Sequence, residues 1–288
     1  MHPAPSVIIF TVLSGLGFGF LGYLNLGLVP TRGLGAMLAF GVGYGFAVIG
    51  LLASTFHLGR PERALRAFTQ WRTSWLSREA WVSVAALLVT APVALEMMGG
   101  GAPGLWGLIA GFLCLATVGC TSMIYAQLKT VPRWNHWSTP ALFFGFALTG
   151  GAILSGLALL GAIFSLLLTI GVGLTFRAGD RRFAAAGSTL GTATGLGTLG
   201  EVRVFEQAHT AGNYLMREMI HVVGRKHATR LRGIALIGLG LPAVILLLPE
   251  TLVTVLVALT FHLIGAFAAR WLFFAQAEHV VGLYYGQR

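Results

Sequence analysis

Long apolar blocks alternate with short polar segments along the chain, and the blocks have the length of membrane spans. A helix needs about 20 apolar residues to cross a bilayer. Eight stretches qualify: roughly 6–29, 34–56, 79–98, 103–128, 138–156, 158–176, 232–249 and 251–275. Residues 138–176 form one apolar block, too long for a single span and just long enough for two joined by a tight turn near Gly156. Pro242 lies inside the seventh stretch, where a kink is tolerated in a membrane. The pattern predicts an all-α, polytopic membrane protein with eight transmembrane helices, a single integral-membrane domain over 1–288.

The polar segments give the orientation. With eight spans, the N-terminus, the three long connections and the C-terminus share one side. That side holds 18 of the 19 Lys and Arg residues, and the other side holds only Arg32. Reading 138–176 as one span would split them 7 to 12. The positive-inside rule therefore places both termini and the long connections in the cytoplasm. Composition agrees. Of the 288 residues 56% are hydrophobic and 10% charged, against about 25% charged in soluble proteins. Too few charges remain to coat a soluble surface. The net charge of +10 belongs to membrane loops, not to a nucleic-acid-binding face. The N-terminus lacks a basic region ahead of its apolar run, so the first block reads as a retained span.

Candidate chemistry concentrates in residues 57–79, HLGRPERALRAFTQWRTSWLSRE. His57 closes the second apolar block and Glu79 opens the third, which puts both at similar depth. A histidine can donate to a quinone carbonyl and exchange protons near neutrality, and a neighbouring carboxylate can relay protons from water. Trp71 and Trp75 suit the interface and can wall a ring. A local reading has equal weight. His57 would sit at a helix C-terminus, and Glu79 in a first turn behind Ser77 as N-cap, each favoured by the helix dipole. For the arginines Arg60, Arg63, Arg66, Arg72 and Arg78, a role in topology outweighs one in ligand binding.

Other features weigh less. Tyr125, Lys129 and the run VPRWNHWSTP, with Trp134, Asn135, His136 and Trp137, form a second connection that can close a pocket or serve as an aromatic belt. His262 lies mid-span, where a polar residue is a functional candidate. A haem would need a second histidine at matching depth, and His57 is at the edge, so packing or proton transfer is the stronger reading. Arg270, Glu278 and His279 either join the cluster of His57 and Glu79 or snorkel to the surface. Cys114 and Cys120, six apart on opposite helix faces, read as packing residues. Gly15 with Gly19, and Gly41 with Gly45, have the spacing that lets helices approach closely. GLGTLG at 195–200 matches a dinucleotide fingerprint, but no strand precedes it and the match is rejected. The following stretch to residue 233 reads as an amphipathic helix, with Tyr214, Leu215, Met219 and Val222 on one face, that lies on the membrane or docks a partner.

HLGRPERALRAFTQWRTSWLSREAW and VPRWNHWSTP resemble the membrane anchor subunit of bacterial dimethyl sulfoxide reductase, within the polysulfide reductase membrane-subunit superfamily. The resemblance runs over all eight predicted helices. Finer features (MHPAPSVIIFTVLSGLGFG, TATGLGTLGEVRVFEQAHTAGNYLMREM and RWLFFAQAEHVVGLYYG) resemble the branch that serves cytoplasmic sulfite oxidation. The resemblance implies a quinone as bound substrate, no haem, and no metal ligands in this chain. It implies two partners, a molybdopterin catalytic subunit and an iron–sulfur subunit. The family's quinone-site histidine falls on His57 and its loop-end glutamate on Glu79. The expected pocket is His57, Arg60, Trp71, Arg72, Trp75 and Tyr125, with His57 and Glu79 passing protons. The expected activity is that of the quinone-reactive subunit of a sulfite:quinone oxidoreductase in the bacterial inner membrane. Two alternatives stay open: a quinol-oxidising anchor of the dimethyl sulfoxide reductase type, and a membrane transporter.

Overall fold

A computed structural model describes residues 1–58, 60–206, 212–220 and 227–286, apart from the side chains of His57 and Pro61. The described residues are helical and contain no strand. The helices are α1 (Pro5–Asn25), α2 (Gly33–Ala53), α3 (Trp75–Met98), α4 (Gly104–Ala126), α5 (Ser138–Leu154), α6 (Ala158–Ala185), α7 (Leu190–Thr194), α8 (Tyr214–Glu218), α9 (Ala228–Ile245) and α10 (Leu252–Ala275). Among the described residues, seven are long and apolar enough to cross a membrane: α1, α2, α3, α4, α6, α9 and α10. The apolar α5 has 17 residues, roughly 25 Å of helix. The tight turn predicted near Gly156 separates α5 from α6, and Gly156 adopts φ +70° there, a conformation that L side chains rarely adopt.

Several boundaries differ from the sequence reading: α3 starts at Trp75 and not at 79, and α9 spans Ala228–Ile245 and not 232–249. α6 has 28 residues and continues to Ala185, nine beyond the predicted end of its span at 176. Its last turns are anchored laterally, because Asp180 binds Arg133 and Arg232. Within the stretch read as one amphipathic helix, the described residues form the short helix Tyr214–Glu218 and, from Ala228, the start of α9. Val222 and residues 207–211 and 221–226 fall outside the described residues.

The long helices form two groups of four. α1, α2, α3 and α4 touch in a ring, and α5, α6, α9 and α10 touch in a second ring. α1 is also packed against α5 and α10, and α4 against α5. α1 is thus the keystone, with Leu21 and Leu24 wholly buried. Backbone approach makes this possible. A Cβ on Gly17 would lie 2.3 Å from the Ala47 nitrogen, and one on Gly19 would lie 2.0 Å from the Ala147 oxygen. Around Gly15, Gly41 and Gly45 such an atom would meet nothing within 4 Å. Of the residues in the two predicted pairs, only Gly19 sits at a helix crossing. Elsewhere the close contacts join Gly50 to Ser14, Gly151 to Gly19 and Gly238 to Gly265, pairings between helices that no spacing within one helix reveals.

Both termini and the long connections meet at one end of the molecule. The N-terminal ammonium donates to Ala277 O at 2.8 Å. His2 N donates to Glu218 O at 2.7 Å, and Val280 N to Thr130 O at 2.9 Å. Tyr284 Oη donates to Ala193 O at 3.0 Å, and Asn213 Nδ2 to Tyr285 Oη at 2.9 Å.

Two histidines secure this end in their neutral form. His279 Nδ1 accepts from Val281 N at 3.0 Å, and His136 Nδ1 accepts from Ser138 N at 3.1 Å. Burial lowers the pKa of both, assisted by the N-terminal ammonium at His279 and by Arg182 at His136. Protonation of Nδ1 would abolish each bond. The folded state therefore takes up these protons at lower pH than the unfolded chain, whose histidines titrate near pH ~6.5. Stability from this source is complete above that pH and falls as the solution is acidified. The protection factors of residues 280–285, taken against the intrinsic exchange rate at each pH, should fall as the pH drops below about 6.5. His279→Asn, which keeps an acceptor but not the titration, should flatten that dependence. An unchanged pH profile in the variant would refute the role of His279.

Candidate functional site

The connection between α2 and α3 folds down onto the first turns of α3. A 3-10 turn, Ser54–His57, ends α2, and a second, Pro61–Phe68, follows. Arg78 Nε donates to Trp71 O at 3.0 Å, and its Nη2 to Arg72 O at 2.7 Å. Trp81 Nε1 donates to Phe68 O at 2.9 Å, and its ring meets Phe68 edge-on at 5.2 Å. The Arg78 guanidinium lies 4.3 Å from the Trp75 ring centroid, and that of Arg72 lies 5.5 Å from Trp71. Of the predicted pocket residues, Arg60, Trp71 and Arg72 are thus exposed on this connection and Trp75 is half-buried. His57 closes the first 3-10 turn; its side chain is outside the described residues.

Glu79 is different in kind. It is the fifth residue of α3, because the helix begins at Trp75 with Ser74 as N-cap. Ser77 is therefore not the cap expected from the sequence. Its hydroxyl accepts from Gln70 N at 3.2 Å and ties the connection to the helix. Glu79 is past the free N–H groups of the first turn, so the helix-end reading of this carboxylate loses its basis. It is 4% exposed and accepts a hydrogen bond from Thr121 Oγ1 of α4. Burying a carboxyl is costly unless it is hydrogen-bonded or protonated, so this position is not one that surface chemistry selects.

Tyr125 lies one turn beyond Thr121 on α4. It does not face the exposed connection. Its ring stacks on Phe143 at 5.7 Å and meets Trp134, Phe273 and Phe274 edge-on at 5.3–5.6 Å. This aromatic cluster seals the junction of the two helix rings at the polar end. Beneath it lies Arg270, 3% exposed, with its guanidinium 3.6 Å from the Phe143 centroid and 4.8 Å from that of Phe146. Arg270 does not snorkel. It borders three small clefts. One, of about 10 Å³, also touches Thr121, Ser14 and Thr11. A second of about 10 Å³ reaches His262, and one of about 60 Å³ reaches Arg133 and Gln276. A buried polar seam thus runs between the rings from Glu79 and Thr121 to Arg270 and His262. Arg270 is buried between the rings and so does not reach the surface, while Glu278 and His279 stay at the polar end.

His262 packs where α5 carries Gly150; a Cβ there would lie 2.9 Å from His262 Nε2. Cys114 and Cys120 are free thiols. Cys114 is buried and accepts from Asn25 Nδ2 at 3.7 Å, while Asn25 also donates to Thr90 at 2.9 Å. No three His, Cys, Asp or Glu side chains converge as a metal site among the described residues.

Sequence reasoning missed the partner of Glu79 and the cluster around Asp180. Thr121 carries no sequence signal, since threonine is common in spans. Asp180 does, as the single aspartate of the chain within the basic run RAGDRR. It accepts from Arg232 through both nitrogens, at 2.8 and 2.6 Å, and from Arg133 of the second connection. Three segments distant in sequence are joined there.

The comparisons with known proteins fit this architecture. Residues 1–174 match the model of the DMSO reductase anchor subunit (DmsC). A sulfite dehydrogenase subunit of Allochromatium vinosum is 34% identical, and the alignment covers 99% of this chain and 99% of that protein. No solved structure matches. A family match over more than half the chain, joined to a relative aligned end to end, assigns the whole helical assembly: this chain belongs to the DMSO reductase anchor subunit family.

Proposed function

We propose that this chain is the membrane anchor and quinone-reactive subunit of a molybdopterin oxidoreductase complex that oxidises sulfite. The observation that carries the reading is the end-to-end likeness to a sulfite dehydrogenase subunit. Its chemistry balances simply. Sulfite and water give sulfate, two protons and two electrons at molybdenum in a partner subunit. An iron–sulfur partner relays the electrons singly to the polar end of this chain. A quinone there takes two electrons and two protons to become the quinol. This chain alone is not catalytic.

The residues fit that task. His57 stands at the end of α2, where its imidazole would hydrogen-bond a quinone carbonyl. On this reading Arg60, Trp71, Arg72 and Trp75 contact the quinone from the connection, and Tyr125, enclosed in its ring cluster, acts only from behind Glu79 and Thr121. Glu79, buried and held by Thr121, supplies protons that it regains from the polar side. The same end offers a docking face. Phe205 is fully exposed and Leu199 84% exposed on the connection after α6, on the side that carries nearly all the positive charge. Apolar residues bared beside membrane loops suit a partner protein. With eight crossings, α5 included, both termini and this face are cytoplasmic, in the bacterial inner membrane.

The test is sulfite-dependent quinone reduction by the complex isolated on this chain. His57→Ala should lower turnover about a hundredfold or more while molybdenum and iron remain bound. Full activity in that variant would remove His57 from the site. Membership of the anchor family favours a second reading, in which the same site oxidises quinol and the partner reduces a sulfoxide. Quinol oxidation driven by dimethyl sulfoxide, with no response to sulfite, would establish that direction instead.

A further inference from the structure

The outer face of the second helix ring carries a groove that the quinone chemistry does not use. It runs between α5 and α6, holds about 480 Å³, and is walled by Leu148, Phe164, Leu167 and Leu174. Leu167 and Leu174 are well exposed, so the groove opens sideways to the hydrocarbon. Its end nearest the polar side is built differently, from His136, Ser138 and Arg182.

Arg182 is the informative residue. Its Nη1 is shielded from solvent and has no hydrogen-bond partner. A shielded cationic donor left unpaired is expensive. The nearby carboxylate cannot serve, because Asp180 is already shared by Arg133 and Arg232. Arg177 and Arg181 add further positive charge on the same helix end. Trp137, exposed at the same end of the groove, is the kind of residue that marks the headgroup level. An apolar slot ending in an arginine with one shielded, unpartnered terminal nitrogen matches one class of molecule: an acyl chain attached to an anion.

We propose that this groove is a binding site for an anionic phospholipid, with one acyl chain between α5 and α6 and the headgroup phosphate on Arg182. Basic pockets between helices at the membrane surface recognise anionic headgroups in this way. A quinone would fill the apolar part equally well, but its neutral carbonyls would leave the arginine charge unmatched. The site is remote from Glu79 and stands whether or not the quinone reading holds.

The complex isolated on this chain, placed in nanodiscs of equal parts phosphatidylglycerol and phosphatidylcholine, should retain phosphatidylglycerol preferentially when examined by native mass spectrometry. Arg182→Gln should lower that preference about fivefold, and Arg182→Lys should keep most of it. Gly171→Leu adds bulk to the groove wall, where a Cβ already lies 3.6 Å from Leu142. It should reduce retention of both lipids without changing their ratio. A preference that Arg182→Gln leaves intact would overturn the proposal. So would retention of ubiquinone, in place of phospholipid, that is lost with Gly171→Leu and indifferent to Arg182.

Discussion

Glu79→Gln is expected to lower quinone reduction by the assembled complex about a hundredfold or more, the scale of a lost proton-transfer group, with little change in stability. The buried carboxyl has one strong partner, the Thr121 hydroxyl, and a glutamine oxygen can accept the same bond. The variant removes the exchangeable proton while keeping size and contact, so it separates chemistry from packing. Thr121→Val is the complementary change. It strips the carboxyl of its donor, at a cost of about 1–3 kcal/mol for an unsatisfied buried group, and should lower the melting temperature. Turnover in Glu79→Gln equal to wild type, in a complex with its metals retained, would make Glu79 a structural acceptor only.

Gly19→Ala is expected to be the most damaging small substitution in the chain, costing at least about 3 kcal/mol, the upper end of overpacking penalties. The added carbon would lie 2.0 Å from the Ala147 oxygen and 2.7 Å from its carbon. Both are backbone atoms of α5, so no rotamer change relieves the clash, and α1 must separate from the second ring. Helix propensity favours alanine over glycine by only about 1 kcal/mol, so the steric cost decides the sign. Gly15→Ala, four residues earlier, meets nothing within 4 Å and should be neutral or slightly stabilising. Thermal unfolding of the purified complex in detergent measures both. Equal melting temperatures for the two variants would show that α1 and α5 are not in backbone contact.

The sequence drew attention to the connection between α2 and α3 and to the residues proposed to act there. His57 and Glu79 bracket the most polar connection of the N-terminal half, and their chemistry drew attention to it. What spacing did not show is how unlike the two surroundings of the predicted pocket residues are. Arg60, Trp71 and Arg72 lie exposed on the connection, whereas Tyr125 is enclosed by Trp134, Phe143, Phe273 and Phe274. The helix start moved to Trp75, which turned Glu79 from a first-turn anion into an interior one. Arg270 had two sequence readings, and burial against two phenylalanine rings removes the one in which it snorkels.

The sequence by itself determined that the chain is helical, that its apolar segments are membrane-length, where nearly every connection falls, and which end carries the charge. These follow from the transfer of apolar side chains to lipid, which depends on composition along a segment and not on its neighbours. Only the tertiary structure decided the grouping into two rings of four, the glycines at which backbones touch, and the pairing of Glu79 with Thr121 and of Asp180 with two arginines. Within a bilayer all apolar faces are nearly equivalent. Which face of a helix meets which neighbour is then settled by shape and by a few hydrogen bonds between segments far apart in the chain.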